Sequence, residues 1–148
     1  MSNHSPITAE NNVEREHLVE LIGKLSDQDL NHPLESGWTV SAVLAHLAFW
    51  DLRALTLLKK WAVDGVGPSP IDTDVVNEVV RHHCLAIAPP AAAHLAISAA
   101  DAVDREIAQL TPRQMADIQE KGDAIHLNRA NHRREHLEQI ERALDVKK

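Results

Sequence analysis

Apolar residues recur at every third or fourth position over a long segment in the first half of the chain. They have the spacing of one helix face and comprise Val43, Leu47, Trp50, Ala54, Leu57 and Trp61. This stripe predicts an amphipathic helix over about 40–64, which Thr39 can cap. Glycines and prolines at 65–70 end it. A stripe of this length must be buried against other parts of the chain.

The same periodicity predicts further helices at 9–25, 74–86, 90–110 and 124–144. Thr8 and Asp123 are the expected N-caps of the first and the last of these. Pro89 and Pro90 break the helix that precedes them and suit the first turn of the next one. Only a short turn is expected at 111–115.

No segment shows the period-two alternation of a β-strand. The predicted fold class is therefore all-α, an antiparallel four-helix bundle whose third helix is broken near Pro89–Pro90. The 148 residues suit a single domain, 1–148, with a flexible N-terminus at 1–8 and a C-terminal tail at 145–148.

Two turns along the chain resemble each other. Leu25-Ser-Asp-Gln-Asp-Leu30 follows the first predicted helix, and Leu110-Thr-Pro-Arg-Gln-Met115 follows the fourth helical segment. A histidine-bearing helix comes after each turn. The pattern suggests two helix pairs related by a pseudo-twofold axis, although two matches this short also arise by chance.

Composition argues against several classes of function. Hydrophobic residues make up 44% of the chain, charged residues 25%, and the formal net charge is −7. An acidic surface repels phosphates, so neither nucleic acid nor an anionic membrane is an expected partner. The N-terminal segment lacks an apolar signal core, and no uninterrupted apolar run approaches the roughly 20 residues that span a bilayer. Cys84 is the single cysteine, which suits a reducing cytoplasm.

Ten histidines are the unusual feature of the composition. His132 and His136 have i, i+4 spacing, which places both imidazoles on one helix face, where they can bind one metal ion. The alternative is a solvated polar face, and the neighbouring Arg129, Arg133 and Arg134 favour it.

His46 lies within the apolar stripe of the 40–64 helix. Alone, it reads as a core histidine bonded to a backbone carbonyl. Together with an inward-facing His132 and His136 it makes three histidine ligands from two helices, as in an open catalytic zinc site. The remaining histidines are expected on the surface or in the ordinary core, and His17 could approach the site.

Two segments carry a family resemblance. Residues 37–51, Gly-Trp-Thr-Val-Ser-Ala-Val-Leu-Ala-His-Leu-Ala-Phe-Trp-Asp, resemble the second-helix signature of the DinB/YfiT-like superfamily. Residues 131–140, Asn-His-Arg-Arg-Glu-His-Leu-Glu-Gln-Ile, resemble its last-helix signature. The turn at 25–30 and the segment 72–77 also look like that family, so the resemblance runs over most of the chain.

The resemblance implies a four-helix bundle with a divalent metal, often nickel or zinc, held by His46, His132 and His136. Characterised members of the family include thiol-dependent S-transferases and maleylpyruvate isomerases, which use mycothiol, bacillithiol or glutathione. It therefore implies a small-molecule substrate and a low-molecular-weight thiol as cosubstrate. A homodimer is expected because related bundles often pair.

Five residues are candidates for the surroundings of the metal because of their positions in the sequence: Glu135, Gln139, Asn77, Trp38 and Trp50. Each also has an ordinary explanation: surface charge for Glu135 and Gln139, a polar helix residue for Asn77, and core packing for the two tryptophans. Three hypotheses for the whole chain remain: a metal-dependent thiol transferase or isomerase, a metal-binding or stress-response bundle without turnover, and a metal-free bundle whose histidines satisfy one another.

Overall fold

Seven α-helices and one 3-10 turn make up the regular structure in the computed structural model, which describes residues 5–121 and 124–145. The helices are α1 (Pro6–Lys24), α2 (Asp27–Leu30), α3 (Val40–Asp64), α4 (Thr73–Ala86), α5 (Pro89–Ala108), α6 (Pro112–Lys121) and α7 (Ala130–Leu144). The 3-10 turn spans Glu35–Gly37. The described residues contain no strand, and Pro33 and Thr39 form an isolated bridge. The all-α class is therefore confirmed.

Side-chain caps set where the long helices begin. Thr39 accepts a hydrogen bond from the Ala42 amide at 3.1 Å, so the predicted start of α3 is confirmed. The predicted cap Thr8 is wrong, because the Ser5 hydroxyl caps α1 and accepts from the Thr8 amide. The helix therefore includes residues 6–8, which the sequence placed in a flexible N-terminus, and residues 1–4 lie outside the described residues.

The last helix starts six residues later than predicted, at Ala130. Asn128 accepts from the Asn131 amide at 3.0 Å, and Asn11 of α1 accepts from the amides of Arg129 and Ala130. These bonds satisfy the free N–H groups of a helix terminus, which fixes the start there. The predicted cap Asp123 and most of the predicted tail at 145–148 lie outside the described residues.

The two similar turns are both helix starts. Ser26 and Asp29 exchange side-chain-to-backbone hydrogen bonds at the start of α2, and Thr111 and Gln114 do the same at the start of α6. Both are capping boxes. Residues 111–115 therefore begin a ten-residue helix instead of forming only a short turn.

Helices α1, α3, α5 and α7 supply most of the core. One cluster joins Val40–Leu47 of α3 to small residues of α5, including Ala93, Ala96 and Ala100, and to Leu137 of α7. A second joins the C-terminal half of α3 to that of α5. By length and composition α3 could cross a membrane, and 67% of its most apolar 18-residue segment is buried inside the protein.

The order of contacts gives the helix directions. Asn11 bonds near residue 130 and His17 bonds Glu141, so α1 and α7 run the same way. The two core clusters pair the first halves of α3 and α5 and then their second halves, so these helices are also parallel. The predicted antiparallel four-helix arrangement is therefore not confirmed. The connection over residues 65–88 allows α3 and α5 to be parallel, because α4 packs back along α3 towards its first half.

A buried ion network joins the four core helices. Arg133 of α7 is 1% exposed and donates to both oxygens of Asp104 on α5, at 2.9 and 2.8 Å, and to Asp51 on α3 at 3.2 Å. It also donates to the Asn11 carbonyl of α1. Burial alone would lower the pKa of Arg133, but the two carboxylates outweigh burial and raise it.

Replacing Asp104 by Ala leaves Arg133 buried with a single carboxylate partner. We expect the free energy of unfolding to fall by about 3 to 5 kcal/mol, the cost of breaking a buried ion pair. Urea denaturation measures it. The control is Asp101→Ala on the same helix, whose pair with Arg105 is exposed and should contribute at most about 0.5 kcal/mol. Equal effects of the two changes would show that the network does not stabilise the fold.

His17 contacts Glu14 on its own helix at 3.0 Å, and it links α1 to α7 through Glu141 at 2.9 Å. Burial lowers the pKa of His17, but the hydrogen bonds and charges of Glu141 and Glu14 outweigh it, and the pKa rises above its ordinary 6.5. A group whose pKa is raised in the folded state stabilises the protein at pH values below its unfolded pKa. This stabilisation is lost as pH rises through its folded pKa.

As pH rises from below the unfolded value of 6.5 through the raised folded value, the wild type should therefore lose more stability than the His17→Gln variant. Unfolding by urea in the presence of EDTA measures the difference without metal binding. His94→Gln, at an exposed position on α5, is the control and should follow the wild type. Parallel pH profiles for the wild type and His17→Gln would contradict this role of His17.

Candidate metal centre

Three histidines from α3 and α7 converge in the structure. The candidate ligand nitrogens of His46, His132 and His136 all lie within 4.8 Å of one another. The Nε2 atoms of His46 and His132 are 3.2 Å apart. The three rings pack edge to face, with centroids 4.8 to 5.1 Å apart. The sequence-predicted ligands are thus brought together, and the group could hold a metal ion.

The spacing of the nitrogens agrees with metal coordination. Two imidazole nitrogens bound to one ion at about 2.0–2.1 Å lie roughly 2.9 to 3.4 Å apart, for right-angled to tetrahedral geometry. The 3.2 Å between His46 and His132 falls in this range. The candidate ligand nitrogen of His136 lies no more than 4.8 Å from the other two. The donor set, three imidazoles and no thiolate, suits zinc, nickel or a similar divalent ion.

Gln139 determines which nitrogen of His136 faces the cluster. It lies one turn further along α7, and its side-chain oxygen accepts from Nδ1 of His136 at 3.0 Å. The proton is then on Nδ1, and the lone pair of Nε2 is free for a metal. His46 lacks such support, because its Nδ1 is buried without a hydrogen-bond partner.

The electrostatics keep His46 and His132 uncharged at neutral pH. Burial, followed by the nearby His136, lowers the pKa of His46 to about 4. Burial and the neighbouring His136 and His46 lower the pKa of His132 to about 3. Both imidazoles are therefore neutral at pH 7, which is the form that binds a metal.

A cavity of about 1150 Å³ opens beside the three histidines. All five of the residues predicted to surround the metal line it: Trp38, Trp50, Asn77, Glu135 and Gln139. Trp38 packs edge-on against His46 with ring centroids 5.3 Å apart, and Trp50 donates from Nε1 to Asn77 at 2.9 Å. The turn that delivers Trp38 requires Gly37, whose φ is +81°.

Sequence reasoning missed the charged wall of this cavity. Arg53 and Arg129 line it, and Arg129 donates to Asp51 at 2.9 Å. Asp51 lies within the apolar stripe of α3, four residues after Leu47, which was the available signal for a buried charge.

Other histidines lie elsewhere. His17 is held by its two glutamates, while His82, His83 and His94 are exposed. His126 is also exposed, but it lines the cavity. The expectation of surface positions is therefore met for these four exposed histidines. Of the four, His126 also lines the cavity beside the candidate ligands.

Comparisons with protein-family models, curated proteins and solved structures gave no match to this chain. The geometry of the site therefore carries the functional argument.

Removal of the Gln139 side chain tests its role in orienting His136. Gln139→Ala should weaken zinc binding about 10- to 100-fold, the usual effect of losing a partner that orients a ligand. Competition with a chromophoric chelator measures the affinity. Gln139→Glu keeps an acceptor and should bind zinc about as well as the wild type. Gln119→Ala, at an exposed position on α6, is the control. Unchanged affinity in Gln139→Ala would exclude the role.

Proposed function

We propose that this protein is a metal-dependent enzyme of the DinB/YfiT-like type, a thiol S-transferase or isomerase that acts on a small molecule. The observation that carries the proposal is the convergence of His46, His132 and His136 beside a large cavity. Structural zinc sites usually have four protein ligands, whereas catalytic sites have three and leave a position for water or substrate. Three histidines at a cavity wall fit the catalytic pattern.

The packing supports a four-helix bundle of α1, α3, α5 and α7. Contacts link α1 to α5 and α7, and link α3 to α5 and α7, which closes a ring of four helices. If the chain is a duplicated helix pair, a twofold axis relates α1 to α5 and α3 to α7. The same axis would exchange the parallel pair α1–α7 with the parallel pair α3–α5. The metal would then lie between α3 and α7, near one end of the bundle.

The residues around the metal would have different roles in the reaction. A divalent ion held by the three imidazoles would lower the pKa of a thiol or water that binds it, which supplies a nucleophile at neutral pH. Glu135 is the one carboxylate among the described residues that line the cavity, so it is the candidate to accept a proton. Trp38 and Trp50 exclude water on one side.

A cytoplasmic location and a low-molecular-weight thiol as cosubstrate belong to the same proposal. Cys84 is buried, and burial raises its pKa to about 11, so the protein's own thiol is a poor nucleophile. An external thiol is then needed for thiol chemistry. With an acidic surface, we propose no nucleic-acid or membrane partner, and a homodimer stays a proposal that sedimentation can test.

Metal analysis of protein made without a histidine tag should find one zinc or nickel ion per chain. His46→Ala and His132→Ala should lose the ion, and His82→Ala, an exposed position on α4, should retain it. Saturating zinc should raise the stability of the wild type by about 2.7 kcal/mol at 100 times its dissociation constant, and should not stabilise the two variants. A wild type without metal, whose melting matches His46→Ala, would support the metal-free bundle.

The thiol reaction is tested with a bimane electrophile and a panel of glutathione, mycothiol and bacillithiol. We expect loss of one of these thiols at a rate that requires metal and that falls to background in His132→Ala. Metal binding without consumption of any thiol would favour the binding or stress-response protein instead.

A further inference from the structure

Arg53 is a cation at the cavity wall that donates only to neutral oxygens among the described residues. Its guanidinium bonds the Ala124 carbonyl at 2.7 Å and the Ser69 carbonyl and hydroxyl at 2.8 and 3.2 Å. These three bonds use three of its five N–H donors. Two donors remain, and the described structure gives this charge no carboxylate partner.

The surroundings of Arg53 are unusually positive for so acidic a protein. Arg129 lines the same cavity and shares its carboxylate, Asp51, with Arg133. Burial, followed by the charge of Arg129, lowers the pKa of Arg53, and none of the described carboxylates pairs with it to oppose this shift. Glu135 is the single described carboxylate on the wall, and a divalent ion at the histidines would add two further positive charges.

Helix geometry sets the distance between the two ends of the cavity. His46, Trp50 and Arg53 are spaced i, i+4, i+7 on α3 and all line the cavity. Seven residues correspond to about 10 Å of helix axis. The guanidinium lies 5.8 Å from the centre of the Trp50 ring. The wall therefore presents, in order, the metal ligands, an indole and a cation.

We propose that the cavity binds an elongated organic anion, with a carboxylate at Arg53 and its reacting end at the three histidines. This rests on the proposed function and adds the class of ligand to it. Trp50 would contact the middle of the molecule. Arg53 also holds the chain at Ser69 and Ala124, a structural role that neutral carbonyl acceptors satisfy. That role leaves the charge itself uncompensated, and the ligand's carboxylate would balance it.

Matched thiols that differ in one end test the proposal by calorimetry with zinc-loaded protein. 8-Mercaptooctanoate should bind about tenfold more tightly than 8-mercaptooctan-1-ol, as expected for a charge-assisted hydrogen bond. 8-Aminooctane-1-thiol should bind more weakly than both. 3-Mercaptopropionate is too short to reach both ends and should show little preference over 3-mercaptopropan-1-ol.

Variants test whether Arg53 causes the tighter binding of the acid than of the alcohol. Arg53→Gln should remove it, and Arg53→Lys, which keeps the charge, should retain part of it. Arg105→Gln, which removes an exposed arginine from α5, should leave it intact. Melting curves followed by circular dichroism show whether each variant is folded. If Arg53→Gln does not fold, the comparison of acid, alcohol and amine in the wild type decides alone.

Equal binding of acid and alcohol by the wild type, or a preserved preference in folded Arg53→Gln, would overturn the proposal. Repeating the titrations in EDTA separates it from the function on which it rests. If zinc strengthens the binding of neither thiol, the proposed metal–thiol chemistry fails. The ratio of acid to alcohol affinity in EDTA still tests Arg53, because that end of the cavity contains no metal ligand.

Discussion

The buried guanidinium of Arg133 is the contact on which the arrangement of the helices depends. A charge that is 1% exposed is costly unless every nearby partner is in place. Its partners lie on three other helices: Asp51 on α3, Asp104 on α5 and the Asn11 carbonyl on α1. The apolar stripes alone allow α7 to slide or rotate, since leucine and alanine pack in many registers. The ion network allows one register.

That register also builds the three-histidine cluster. Arg133 directly follows His132, and Asp51 lies five residues after His46. Successive residues of a helix point about 100° apart. When Arg133 points into the interior towards Asp51, His132 must point into the neighbouring cavity, where His46 lies. The ion pair and the histidine cluster therefore both result from the same contact between α3 and α7.

Much of this could be predicted from the sequence, and the failures have a common cause. Helical periodicity gave the class and the bounds of α3, and it placed His46 on a buried face. In the sequence, Arg133 and its neighbouring arginines favour the alternative of a solvated face, whereas the structure buries Arg133 in line with Leu137 and Ile140. Periodicity describes one helix at a time. Which charges meet, and whether two helices run in the same direction, depends on the connection between helices, here a long one that contains α4.

The Arg133 network has a consequence for a chain in which α7 is detached. Helix α7 brings the cation for two carboxylates, on α3 and α5, and two of the three histidines. Without α7, Asp51 and Asp104 would lie in an apolar interior without the Arg133 charge, and water would have to enter there to solvate them. The same helix contact thus brings Arg133 to both carboxylates and completes the three-histidine group. A chain with α7 detached would present His46 alone, and a single imidazole would hold a metal ion poorly.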